Sequence, residues 1–290
     1  MIPKPGVNRF AHQAGADLHV AQQDVVLTYA LDLLRERGVL QRLAFKGGTY
    51  LRKMVLGNNG RFSEDLDFTA LDGFPDDPRK LFADAFKAPR HGVQFELRSP
   101  GFTQNNFRAT VAYKHEWDEG TFTLEVSYRE RPFLPVEERA LLEQLYFKDL
   151  PFKPTTIPCL QLPEALAEKL RATQQRASER DVYDIIEYAR KGFKPDLVRL
   201  LAVGKLWNAH EAFDPDKLLQ RLGEPRKDWP DLRRLLGKKD KTDWNAEAKK
   251  AATRFEFLRA LTTLEKDVIA DARRHNVEKE LLAEIKKLAS

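Results

Sequence analysis

At 290 residues, 42% of them hydrophobic, the chain is long enough to bury a sizeable core and to form one or two domains. No run approaches the ~20 apolar residues of a membrane helix. Met1 to Ala16 lack the apolar stretch of a signal peptide, and a lone cysteine, Cys159, excludes an internal disulfide and a multi-cysteine zinc site. A cytoplasmic protein is expected. With 49 Lys and Arg against 44 Asp and Glu, the formal charge of +5 is compatible with nucleic-acid binding without arguing for it.

Asp24 to Arg37 keeps a helical period through Val25, Val26, Tyr29, Ala30, Leu33 and Leu34, and Gly38 suits the cap beyond it. The short apolar stretch Leu43-Ala44-Phe45 leads into Lys46-Gly47-Gly48-Thr49, and a further helix is expected over Thr49 to Val55. After the Gly57-Asn58-Asn59-Gly60 loop, Glu64 to Thr69 alternates as a strand does. Asp76 to Lys87 reads as a helix, and Val93–Leu97, Phe107–Tyr113 and Thr121–Tyr128 as strands. Six prolines from Pro132 to Pro163 mark a connecting region, beyond which the pattern is helical almost to Ser290. The expected architecture is α+β over residues 1–150, followed by an all-α domain over 151–290.

Two segments carry chemistry. In Lys46 to Phe68, a glycine-glycine-hydroxyl turn between strand and helix lets backbone approach a phosphate. Seventeen residues after Gly48, Asp65 and Asp67 stand two apart on a strand, so both carboxylates leave one face while Leu66 and Phe68 enter the core. Two like charges so placed repel unless a cation offsets them, and hard oxygen ligands suit Mg²⁺. Glu125, flanked on its strand face by Thr123 and Ser127, is a candidate third acid, though an ordinary exposed glutamate would look the same.

The second segment is Pro163 to Gly192. Leu166 and Leu170 mark one helix; Ser178-Glu179-Arg180-Asp181 resembles a capping box opening another, whose buried stripe is Val182, Ile185, Ile186 and Ala189. On one straight helix, Lys169 and Asp184 would stand about 22 Å apart, so only a helix–turn–helix brings them together. A solvated, salt-bridged hairpin fits the spacing equally well. The basic runs Arg233-Arg234, Lys238-Lys239 and Lys249-Lys250 read as solvated helix faces or as an RNA track.

Taken in order, Phe45-Lys46-Gly47-Gly48-Thr49, Arg61-Phe62-Ser63-Glu64-Asp65-Leu66-Asp67-Phe68, Glu168-Lys169-Leu170 and Arg180-Asp181-Val182-Tyr183-Asp184 resemble the motifs of the AbiEii/AbiGii-type nucleotidyltransferase toxins, which include the MenT toxins. The resemblance covers roughly the first two-thirds of the chain. It implies a polymerase-β-like fold with a mixed sheet bearing the metal site, and Mg²⁺-dependent transfer from an NTP to an acceptor hydroxyl. The acceptor it implies is RNA, the 3′ end of tRNA, with a cognate antitoxin encoded nearby and a role in abortive infection or antiviral defence. Carried over residue by residue, Asp65, Asp67 and Ser63 match the metal motif. Lys46, Gly47, Gly48 and Thr49 match the phosphate turn, and Lys169 and Asp184 the distal pair, with Lys169 on the triphosphate. Glu125 stands where superfamily members usually carry Asp. Rival readings keep the site but modify a protein or small-molecule hydroxyl, or make the chain a silent nucleic-acid-binding module.

Overall fold

The computed structural model describes residues 1–176, 178–238, 240–272 and 276–290. The chain forms two compact units, the first from Met1–Arg131, Val136–Cys159 and Arg233–Asp240, the second from Pro132–Pro135, Leu160–Leu232 and Lys241–Ser290.

The first unit opens with helices α1 (Lys4–Ala14) and α2 (Leu18–Glu36). Strand β1 (Leu43–Lys46) runs into a helical turn, α3 (Gly47–Tyr50), that continues as a π-helix over Leu51–Leu56. There follow β2 (Asp65–Ala70), α4 (Arg79–Phe86), β3 (Val93–Thr103), β4 (Asn106–His115), β5 (Asp118–Ser127), β6 (Glu137–Ala140) and β7 (Thr156–Cys159). Their seven strands make one mixed sheet in the order β3-β4-β5-β2-β1-β7-β6. Phe68, Phe95, Phe107, Phe122, Leu124 and Val126 form its apolar face, all of them buried. Helix α4 covers part of that face, with Phe82 stacked on Phe107 and Phe86 against Phe95. The other face is polar, and it carries the acids singled out above.

Several boundaries differ from the sequence pattern. Helix α2 starts six residues before Asp24, which is buried inside it rather than opening it. Helix α4 begins at Arg79, because Pro78 occupies its N-cap and the Asp77 carboxylate accepts the Arg79 N–H. Strand β5 starts at Asp118 and stops at Ser127; the Tyr128 hydroxyl instead donates to the Pro75 carbonyl at 2.7 Å. Strand β3 continues past Pro100 to Thr103, which a register shift between Arg98 and Gly101 on this edge strand permits.

The second unit is helical among its described residues: α5 (Leu162–Arg176), α6 (Glu179–Arg190), α7 (Pro195–Asn208), α8 (Pro215–Gly223), α9 (Pro230–Arg233, whose last residue belongs to the first unit), α10 (Trp244–Arg254), α11 (Thr263–Ala270) and α12 (Glu278–Ala289). Buried ion pairs tie these helices together: Lys205 of α7 meets Glu164 of α5 at 2.6 Å, and Arg199 meets Glu265 of α11 at 2.9 Å. Glu164 also accepts the Phe133 and Leu134 N–H groups, so it is both paired and hydrogen-bonded, as a buried charge requires. The basic runs divide: Arg234 is paired with Glu64, Lys238 with Asp17 and Lys250 with Glu247, whereas Lys239 lies outside the described residues.

Candidate active site

The turn after β1 is built for close approach. Lys46 is extended, Gly47 has φ +81°, and helical geometry starts at once. A methyl group on Gly47 would lie 2.9 Å from both Cβ and Cγ of Asp67 and would overlap its carboxylate. On Gly48 it would lie 3.0 Å from Ser63 Oγ and 3.1 Å from Arg61 Cζ. Both glycines are therefore needed where they stand, and the expected phosphate turn lies against Asp67 and Ser63. Thr49 behaves differently from the expectation of a phosphate ligand: it is buried, and its hydroxyl donates to the Asp65 carbonyl. Thr49 straps the turn to the acid-bearing strand.

Strand pairing sets the rest of the polar face. Antiparallel β1–β2 pairs Lys46 with Asp67; parallel β2–β5 pairs Asp65 with Thr123 and Asp67 with Glu125; antiparallel β5–β4 pairs Glu125 with Arg108. Register partners share a face, so Lys46, Asp67, Glu125 and Arg108 form one row across four strands, spaced ~4.8 Å per strand. Asp65, Asp67 and Glu125 are all half-buried. Among the described residues no three His, Cys, Asp or Glu side chains gather closely enough to make a ready metal cage. The face instead offers neighbouring hard-oxygen donors, a set suited to a cation that completes its shell with substrate oxygens.

Beside this face lies an ion cluster that sequence reasoning missed. Asp24, Arg52 and Lys53 are each at most 2% exposed. Arg52 Nε meets Asp24 Oδ1 at 2.8 Å and Lys53 Nζ meets the same oxygen at 3.2 Å. Tyr146 accepts from Lys53 at 3.1 Å and shares a hydrogen bond with Thr28 at 2.7 Å. Arg52 also donates to the Gly60 carbonyl and lies 3.9 Å from the Phe62 ring centre, fixing the segment that delivers Arg61 and Ser63. Burial alone would raise the Asp24 pKa, but Arg52 and Lys53 outweigh it and hold the carboxyl below its ordinary value. Burial pushes Lys53 down to about 8, with Asp24 opposing only in part. Arg61, 4% exposed, donates to the Phe62 carbonyl at 3.0 Å and packs on Gly48. It stood in a quoted motif, but nothing local said that it covers the glycine turn.

In the second unit, Lys169 and Asp184 meet across the turn between α5 and α6. Lys169 Nζ lies 2.8 Å from Asp184 Oδ2 and 3.0 Å from Asp181 Oδ1, and Arg176 Nε is 2.7 Å from Asp181 Oδ2. The two acids are essentially fully buried. Burial would raise Asp181, but Lys169 and Arg176 hold its pKa well below the usual range. Ser178 does sit at the N-cap, yet its side chain makes no cap hydrogen bond; Asp181 serves the ion pairs instead. Lys169, which the resemblance put on the triphosphate, is thus held by two carboxylates.

The model of the nucleotidyl transferase AbiEii toxin family, described as a type IV toxin–antitoxin system, matches residues 31–263. MenT4, a nucleotidyltransferase toxin from Mycobacterium tuberculosis H37Rv, is 28% identical, with a TM-score of 0.80 and 100% of each chain covered. The protein JHP933 from Helicobacter pylori is 20% identical with a TM-score of 0.49, over 91% of this chain and 97% of that one. No curated protein matches.

Proposed function

Because the chain belongs to the AbiEii family of nucleotidyl transferase toxins, we propose that it moves a nucleotide from an NTP to the 3′ hydroxyl of an RNA, most specifically tRNA, and so blocks translation. The chain is a toxin nucleotidyltransferase of the AbiEii and MenT type. Our reading adds the acceptor, the metal and the residue roles.

The observation that carries it is the position of Asp67, which touches the Gly47 turn, neighbours Lys46 on one strand and Glu125 on another, and shares its face with Asp65. Asp65 and Asp67, with Glu125 alongside, would hold Mg²⁺, which binds through one or two carboxylates together with substrate phosphates. When bound, the ion supplies charge stabilisation for the departing pyrophosphate. The turn at Gly47–Gly48, with Ser63 and Lys46, holds the β- and γ-phosphates through N–H groups, a hydroxyl and a positive charge. The acceptor oxygen attacks the α-phosphorus, and the bond to pyrophosphate breaks in line with it. Lys169, 2.8 Å from Asp184, is taken as a phosphate-binding cation and Asp184 as the carboxylate that orients it.

A toxin of this type works against a cognate antitoxin, and the role we propose for the pair is phage defence. No described helix is long and apolar enough to cross a membrane, and tRNA as acceptor puts the activity in the cytoplasm. The test incubates purified protein with total bacterial RNA and each labelled NTP, with Mg²⁺ or with chelator. Label should enter tRNA only with Mg²⁺, and Asp65→Ala and Asp67→Ala should abolish it while remaining folded. Label in protein or in a small molecule would move the acceptor, and wild-type activity in either variant would remove the metal assignment.

A further inference from the structure

We propose that Arg108 binds a phosphate of the acceptor strand next to the attacking hydroxyl, which makes the acceptor a polynucleotide. The inference rests on the nucleotidyl-transfer reading above and deepens it. Arg108 of β4 is the exposed end of the row Lys46–Asp67–Glu125–Arg108, on the same sheet face as the acids.

Among the described residues no hydrogen bond or ion pair engages its charge. Glu125 is its direct cross-strand partner, yet among the described residues the two side chains form neither an ion pair nor a hydrogen bond. The sheet does not forbid such a pair. On the same two strands and the same face, the register partners Lys114 and Glu119 are ion-paired at 3.4 Å. Opposite charges directly across a sheet ordinarily attract. The Arg108–Glu125 position differs in that Glu125 lies beside Asp67, so its carboxylate serves the acid face and the guanidinium stands over open surface. On the edge strand, Gly101 is the next position in the row, and a methyl group there would touch nothing within 4 Å.

Direction across the sheet decides which phosphate Arg108 takes. The glycine turn and Lys46 lie on the β1 side of Asp67, which puts the triphosphate there. Arg108 lies two strands away on the other side, about 10 Å at ~4.8 Å per strand. In-line displacement requires the attacking oxygen to come from the side opposite the leaving pyrophosphate. Arg108 therefore stands where the acceptor enters, with a planar fork suited to phosphate.

The test compares wild type with Arg108→Ala and Arg108→Lys. Binding of a fluorescein-labelled single-stranded RNA with a 3′ hydroxyl is measured by anisotropy, in chelator, across a salt series. In parallel, KM is measured for total tRNA and for the preferred NTP. Arg108→Ala should weaken RNA binding and raise the tRNA KM by about tenfold. It should lower the slope of log K against log salt by about 0.7 and leave the NTP KM unchanged. Arg108→Lys should keep most of the salt slope. Unchanged RNA affinity and slope in Arg108→Ala would overturn the proposal, as would a rise confined to the NTP KM. Either result, with Asp65→Ala still inactive, leaves the nucleotidyl-transfer reading standing. Failure of wild type to label any RNA would overturn that reading and this inference together.

Discussion

Asp67 packs so closely on Gly47 that no side chain can replace the glycine's hydrogen without moving the carboxylate. The contact joins a phosphate-type turn to an acid on the neighbouring strand, and the pairing of Lys46 with Asp67 across β1 and β2 keeps it in register. Gly47→Ala therefore meets two obstacles: overlap with Asp67, and a left-handed φ of +81° that alanine disfavours. We expect a loss of about 1–3 kcal/mol in stability and a fall in nucleotide transfer out of proportion to it. A urea titration beside a labelled-NTP assay checks both. A variant as active as wild type would mean that the turn does not need Asp67 where it is.

Thr49 separates two roles for the same hydroxyl. If it straps the turn to β2, as its hydrogen bond to the Asp65 carbonyl indicates, then Thr49→Val takes that donor from a part-buried carbonyl. The expected cost is about 1–3 kcal/mol, with kcat falling while KM for NTP holds. A rise in the NTP KM with unchanged thermal stability would make Thr49 a phosphate ligand after all.

Lys169→Met should not be neutral to folding, because it takes the Lys169 ammonium from buried Asp184 and deprives Asp181 of one of its two cations. Breaking a buried pair from one side costs about 3–5 kcal/mol. The double variant Lys169→Met/Asp184→Asn should regain much of that stability, since one buried charge is removed with its partner, and should still fail to transfer nucleotide. Recovered activity in the double variant would remove Lys169 from catalysis. The pH dependence has a fixed sign. The Asp181 pKa is depressed in the folded chain, so its contribution is present above the ordinary carboxylate value, ~3.9, and disappears as pH falls through the folded value. The gap between wild type and Lys169→Met should therefore narrow in acid.

Asp24 offers the same logic in the first unit. Replacing it with Asn leaves Arg52 and Lys53 buried without a counter-charge. We expect a loss of about 3–5 kcal/mol at neutral pH. Since the Asp24 pKa also lies below its ordinary value, wild-type stability should decline on acidification while the variant changes less. Equal denaturation midpoints for the two proteins at pH 7 would show that the cluster is not what anchors the segment carrying Arg61 and Ser63.

The sequence by itself determined the features set by local periodicity. Alternation put Asp65 and Asp67 on one side of a strand and Leu66 and Phe68 on the other, because side-chain direction has a period of two whatever lies nearby. The break between Lys169 and Asp184 was legible because a straight helix cannot bring two residues fifteen positions apart together. Ordered motifs pointed to the family for the same reason: each is short and read within itself. Only the tertiary structure decided that Glu125 stands beside Asp67, since β2 and β5 pair in parallel although β3 and β4 intervene in the chain. It alone placed residues 233–240 with the first unit, where Leu235 accepts the Phe62 N–H and Lys238 donates its N–H to the Gly15 carbonyl. The burial of Asp24, Arg52 and Lys53 was equally hidden. Charged residues in a helical pattern read as solvent-facing, and only a partner brought in from a distant segment makes burying them tolerable.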